Sequence, residues 1–101
     1  MEINEAITLL LVSRSIQKEL FYGYADLDLS GTSISSFEEV DSYGGEGQGE
    51  DYWRVYKFVS ISNEVAYVKF NGYYTSYDGA DYRNWFFVEP KQVMVTQYFK
   101  V

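Results

Sequence analysis

The chain contains no cysteine and no histidine. The first absence excludes a disulfide scaffold, a thiolate zinc site and a cysteine nucleophile. The second removes the commonest general base, the commonest transition-metal ligand and the side chain that titrates near neutrality. Proline occurs once, at Pro90. Long apolar runs are also missing: the densest, Leu9 to Val12, is far shorter than a membrane span. Basic residues are scarce, with eight Lys and Arg against fifteen Asp and Glu for a net charge of −7. A field of that sign opposes a phosphate backbone, so nucleic acid is not an expected partner. The N-terminal MEINEAI is acidic where a secretory leader is basic, and the expectation is a cytoplasmic protein without a membrane role.

What the chain has in excess is aromatic surface. Aromatic residues make up 20% of its 101 positions and eleven of them are tyrosine, enough for one domain with a modest core and rings to spare. The negative charge is concentrated: from Glu19 to Trp53 there are nine acids and no Lys or Arg, while the remainder is slightly basic. Such a segment repels phosphate and steers basic partners.

The periodicity divides the chain into a helix, an acidic connection and a sheet. Ile3, Ala6, Ile7, Leu9, Leu10, Ile16 and Leu20 fall on one helical face, which predicts a single amphipathic helix over residues 3–21 within an N-terminal section 1–21. Residues 22–51 are polar, acidic and rich in Gly and Ser, predicting irregular structure with a short strand or turn near Phe37 to Tyr43. Residues 52–101 alternate as strands. Asp78-Gly79 signals a two-residue hairpin loop, which pairs Thr75 with Tyr82, Gly72 with Trp85 and Phe70 with Phe87. Taking Ser62-Asn63 as a second two-residue loop sets Val59 opposite Ala66, Val55 opposite Phe70 and Trp53 opposite Gly72.

That register sorts the side chains. Trp53, Val55, Val59, Ile61, Ala66, Val68, Phe70, Trp85 and Phe87 form the expected core face. Tyr52, Arg54, Tyr56, Phe58, Tyr67, Lys69, Asn71, Tyr73, Thr75, Tyr77, Tyr82 and Asn84 form the expected outer face. Gly72 between Trp53 and Trp85 suggests a ring lying over bare backbone. A last strand over residues 92–101 points Val93, Val95, Phe99 and Val101 inward. The predicted fold is α+β, one N-terminal helix on one face of a four- to five-stranded antiparallel sheet.

Three stretches are candidate sites. GGEGQGEDYW, residues 44–53, has the glycines of a phosphate loop, but Glu50 stands where the dinucleotide fingerprint needs its third glycine. A strand rather than a helix follows, and Glu46, Glu50 and Asp51 repel an anion, so a connecting loop is the expectation. Asp26, Asp28, Ser30 and Gly31 match the opening of a calcium-binding EF-hand loop, with Glu38 one residue beyond the position of the bidentate glutamate. The competing reading of that stretch is Asx-turn chemistry by Asp28 and Ser30. The tyrosine-rich face, with Tyr52, Arg54, Tyr56, Tyr67, Lys69, Tyr73, Tyr77 and Tyr82, has the composition of a protein-contact surface. Tyr73, Tyr77, Tyr82 and Trp85 also suit stacking on sugars. Without Cys or His no ready nucleophile–base pair presents itself, and neither catalysis nor a cofactor is expected.

The stretches YGGEGQGEDYWRVYKF, FNGYYTSYDG and VEPKQVMVTQYF resemble a group of small proteins encoded by bacteriophages. The resemblance carries no activity and no site residues. It implies an acidic accessory factor that binds a host or defence protein and inhibits or redirects it, sometimes by imitating DNA charge. The acidic run that includes Glu46, Glu50 and Asp51 is compatible with that. The expected function is therefore protein binding, by the tyrosine-rich face for contact and the acidic segment for steering.

Overall fold

The computed structural model describes residues 2–44, 50–75, 79–90, 98 and 100. It is an α+β fold with helices α1 (Ile3–Leu10) and α2 (Arg14–Tyr22) and strands β1 (Ile34–Tyr43), β2 (Glu50–Ser60), β3 (Val65–Thr75) and β4 (Gly79–Val88). The strands form one open antiparallel sheet in the order β1-β2-β3-β4.

The single helix expected over residues 3–21 is two helices. The chain leaves α1 at Leu11, and Ser13 begins α2 as its N-cap, its hydroxyl accepting from the Ile16 amide at 3.4 Å. Gln17 seals the joint. Its amide donates to the Leu11 carbonyl at 2.5 Å, and its side-chain oxygen accepts from the Tyr82 hydroxyl at 2.8 Å. One stranded carbonyl at the end of α1 is thereby satisfied, which a helix end inside the fold requires. The apolar period runs in phase across the break, so only Ser13 marks it in the sequence.

α2 ends in a Schellman motif. Gly23 takes a left-handed conformation at φ 82, its amide reaches the Leu20 carbonyl at 3.2 Å, and the Tyr24 amide reaches that of Glu19 at 3.2 Å. A side chain at Gly23 would also meet the Arg54 guanidinium at 2.7 Å. Both helices pack on the same face of the sheet. Ile3, Ile7 and Leu11 from the first segment and Leu20 and Phe21 from the second bury against Ile34, Tyr56, Phe58, Val68, Phe70 and Tyr82. Each large apolar side chain so buried contributes about 1.5–3 kcal/mol.

β1 is a full edge strand, longer than the short strand or turn expected near Phe37 to Tyr43. Its Ser, Glu and Asp content hides it from a propensity reading. Two register irregularities, at Ser35 and Val40, and the exposed Glu38, Glu39 and Asp41 make it a poor template for a further strand.

The β2–β3 register differs from expectation by one residue. Val59 pairs with Val65, Tyr56 with Val68, Arg54 with Phe70 and Tyr52 with Gly72. The cause is the turn. Ser60 accepts from the Asn63 amide at 3.0 Å, the Ser60 amide donates to Glu64 at 2.9 Å, and Asn63 adopts φ 65. This is a three-residue loop closed by a left-handed residue, not the two-residue loop expected at Ser62-Asn63. One extra residue reverses every side chain of β2. Trp53, Val55 and Val59 therefore leave the expected core face, Ile61 lies 71% exposed in the loop, and Tyr52, Arg54, Tyr56 and Phe58 turn inward.

β3 keeps its expected phase, with Ala66, Val68 and Phe70 buried. On β4 a bulge between Tyr82 and Asn84 divides the strand. Beyond it Trp85 opposes Phe70 and Phe87 opposes Val68, where Gly72 and Phe70 were the expected partners. The two-residue shift keeps both on the expected side of the sheet, with Phe87 38% exposed. Before it Tyr82 opposes Gly72 and is buried, where an outward tyrosine was expected. The expected two-residue Asp78-Gly79 loop is corrected as well, since Thr75 pairs with Gly79 and not with Tyr82. The last strand over 92–101, with Val93, Val95, Phe99 and Val101, falls on or across positions outside the described residues.

Candidate functional site

The residues expected to form one contact surface divide between two faces. Tyr52, Arg54, Tyr56 and Tyr82 lie beneath the helices, where Arg54 and Tyr56 close the end of α2. The Arg54 Nε donates to the Phe21 carbonyl at 3.0 Å and the Tyr56 hydroxyl donates to that of Leu20 at 2.7 Å. A cation and a hydroxyl thus meet the carbonyl end of a helix, where unpaired acceptors and the negative pole of the macrodipole need them. Arg54 also pairs with Glu39 and donates to the Tyr52 hydroxyl at 2.9 Å. Burial works against the Arg54 charge, but its hydrogen bonds to Glu39 and Tyr52 outweigh it and hold the guanidinium above its ordinary pKa. These four residues are structural, which corrects their expected role in partner contact.

Burial pushes the Tyr56 phenol up to about 12, the Glu39 carboxylate adds to the shift, and Arg54 offsets part of it. Burial also raises Tyr82, with Arg14 opposing. A folded-state pKa above the unfolded value near 10 means that the native state holds its proton longer, so stability is intact below about pH 10 and declines towards pH 12. The decline should reach about 2 kcal/mol for Tyr56 alone. Urea unfolding between pH 9 and 11.5 should show a shallower loss in Tyr56→Phe than in the parent, with a residual slope from Tyr82. Equal slopes in the two proteins would contradict the assignment.

No described helix lies over the opposite face, since α1 and α2 both pack on the Tyr56 and Phe58 side. Tyr67, Lys69 and Tyr73 are here, as expected, and the reversed β2 adds Trp53, Val55, Lys57 and Val59. The face carries an ordered ladder across all four strands. Tyr43 of β1 stacks on Trp53 of β2 with centroids 5.8 Å apart. The Lys69 ammonium of β3 stands 4.5 Å from the Trp53 centroid and 5.9 Å from that of Phe86 on β4. Below it, the Arg83 guanidinium lies 5.5 Å from the Tyr73 ring. Tyr43 is 54% exposed and Phe86 40%, so the ladder ends open to solvent at both margins. Tyr43, Trp53 and Phe86 were absent from the expected contact set. The signal that could have found them is Asn63, whose tolerance for the left-handed region favours the longer turn.

The stretch from Asp26 to Glu38 is not a helix–loop–helix, because β1 begins at Ile34. Asp28 accepts from the Ser30 amide at 3.0 Å and from its hydroxyl at 2.5 Å, an Asx turn. The side-chain bond first, and the backbone bond second, hold the Asp28 carboxyl below its usual range. Thr32 then donates to the Leu29 carbonyl at 3.1 Å across Gly31 at φ 79, as a type II turn requires. Among the described residues no three of His, Cys, Asp and Glu gather as a metal site would. Asp51 is exposed at the start of β2. Glu46, Tyr77 and the side chain of Glu50 fall outside the described residues. No described helix is long and apolar enough to cross a membrane. Comparison with known proteins returns no matching family model, curated protein or solved structure.

Proposed function

We propose that the chain is a protein-binding module without enzymatic activity that holds its partner on the open face of the sheet. The observation that carries this reading is the Tyr43–Trp53–Lys69–Phe86 ladder. Its rings and lysine stem are already packed against one another, so docking a partner costs little further side-chain entropy. Aromatic residues with a cation at the centre of a flat patch are the composition of interface hot spots. Trp53 is flanked by Tyr43 from one neighbouring strand and Lys69 from the other, leaving its edge rather than its ring faces to a ligand. That favours a protein partner over stacking on a sugar. The resemblance to small phage-encoded proteins makes a cytoplasmic host or defence protein the first partner to try, with the acids of β1 steering its approach.

The test is affinity capture with the full chain and with Trp53→Ala/Phe86→Ala, each checked for an unchanged far-ultraviolet spectrum. A partner retained by the parent should lose about a hundredfold in affinity for the variant, as two hot-spot truncations cause. Leu9→Ser/Val12→Ser, altering residues 63% and 76% exposed at the helix joint, should bind as the parent does. Binding that follows Leu9 and Val12 and ignores Trp53 would overturn the proposal. Tyr56→Ala has no place in this test, because it removes a core residue.

A further inference from the structure

Lys69 stands at the centre of the open face, and none of its described neighbours there is an acid. Val55 and Phe86 lie directly opposite it on the two adjoining strands. Tyr67 and Asn71 flank it along β3, Trp53 and Lys57 are its diagonal neighbours on β2, and those on β4 are neutral. Its one charged neighbour is therefore a second cation, and Lys57 already has Glu38 opposite it on β1. Among the described residues the one ion pair, Arg54 with Glu39, is on the other side of the sheet. Lys69 is thus half-buried and held between two ring faces with no carboxylate among its described neighbours. An ammonium that has lost part of its water is stabilised further by a carboxylate, through a charge-assisted bond that ring faces do not replace.

We propose that the open face receives a protein segment that sets a carboxylate on Lys69 and apolar side chains on Trp53, Val55 and Phe86. This rests on the protein-binding reading and names the chemistry of the partner. The described acids on the face lie at its margins, Glu38 and Asp41 on β1, Asp51 at the start of β2 and Asp81 on β4. They repel a uniformly acidic chain and leave room for one carboxylate among apolar residues, so an isolated acid and not an acidic run is the matching pattern.

The probes are two acetylated, amidated peptides, one with a glutamate between two leucines and the other with glutamine in its place. They are titrated to millimolar concentration into the isotope-labelled full chain. The glutamate peptide should move the Trp53 indole and Lys69 side-chain resonances and bind roughly tenfold tighter than the glutamine peptide, as one partly desolvated charge pair allows. Lys69→Gln should reduce that preference to below about twofold. It also removes the cation–π contacts with Trp53 and Phe86, so the two peptides are compared within each protein and an unchanged far-ultraviolet spectrum checks the fold. Equal binding of the two peptides, a preference that survives Lys69→Gln, or no movement of these resonances by either peptide overturns the inference. If the carboxylate preference fails while capture still depends on Trp53 and Phe86, the protein-binding reading stands alone. If that dependence fails as well, both fall.

Discussion

Gly72→Ala is expected to destabilise the domain by about 3 kcal/mol, at the upper end of what overpacking by one methyl costs. The Cβ would stand 2.2 Å from the Asp81 carbonyl oxygen and 2.5 Å from Phe21 Cζ. The first neighbour is backbone on the paired strand, and the second is a fully buried ring, so neither can swing aside. In a domain of 101 residues the melting temperature should fall by roughly 15 °C. Gly31→Ala separates crowding from conformation. That glycine has φ +79 but nothing within 4 Å of an added Cβ, so it should lose only about 1 kcal/mol to left-handed strain. Urea midpoints at constant m measure both losses. A Gly72→Ala loss no larger than that of Gly31→Ala would show that the ring and the strand are not packed as described.

Gly72 also shows what was legible in the sequence. A ring over bare strand backbone was expected there, and a ring is present, but it comes from α2 and not from a tryptophan in the sheet. The α+β class, the apolar side of the helical region apart from Leu9, which is 63% exposed, and the phase of β3 followed from periodicity alone. Tyr67, Lys69 and Tyr73 were placed on the open face because β3 has a strongly apolar alternate set in Ala66, Val68 and Phe70. β2 offers no such contrast. Its two faces read Trp53, Val55 and Val59 against Tyr52, Tyr56 and Phe58, and aliphatic content favours the wrong one. The deciding interaction is between elements far apart in sequence: the last carbonyls of α2 need donors, and Arg54 and Tyr56 supply them. A binary pattern counts those two residues as surface, although buried polar groups with partners are common in cores. The error in phase moved Tyr52, Arg54 and Tyr56 of the candidate contact set beneath the helices, and the β4 bulge moved Tyr82. Trp53, Tyr43 and Phe86, which make the exposed ladder, were missed.

Phe21→Ala should cost about 3–5 kcal/mol, a large share of the 5–15 kcal/mol typical of a whole domain. The side chain is 0% exposed, and its centroid lies 5.0 Å from those of Tyr22 and Tyr52 and 5.2 Å from that of Tyr82. Removing it deletes three ring contacts and uncovers Gly72 together. The backbone carbonyl of Phe21 keeps its bond from Arg54, so the end of α2 stays anchored and the void cannot close by moving the helix down. The two glycine and phenylalanine changes should also couple. Without the ring, a methyl at position 72 keeps the Asp81 oxygen as an obstacle but loses its clash with Phe21 and fills part of the space that was vacated. The double variant should therefore be more stable than the sum of the single losses predicts, by more than about 0.5 kcal/mol. Phe21→Leu serves the same cycle if Phe21→Ala is too unstable to measure. Strict additivity would mean that Phe21 does not lie on Gly72, and the account of how α2 is seated on the sheet would have to be abandoned.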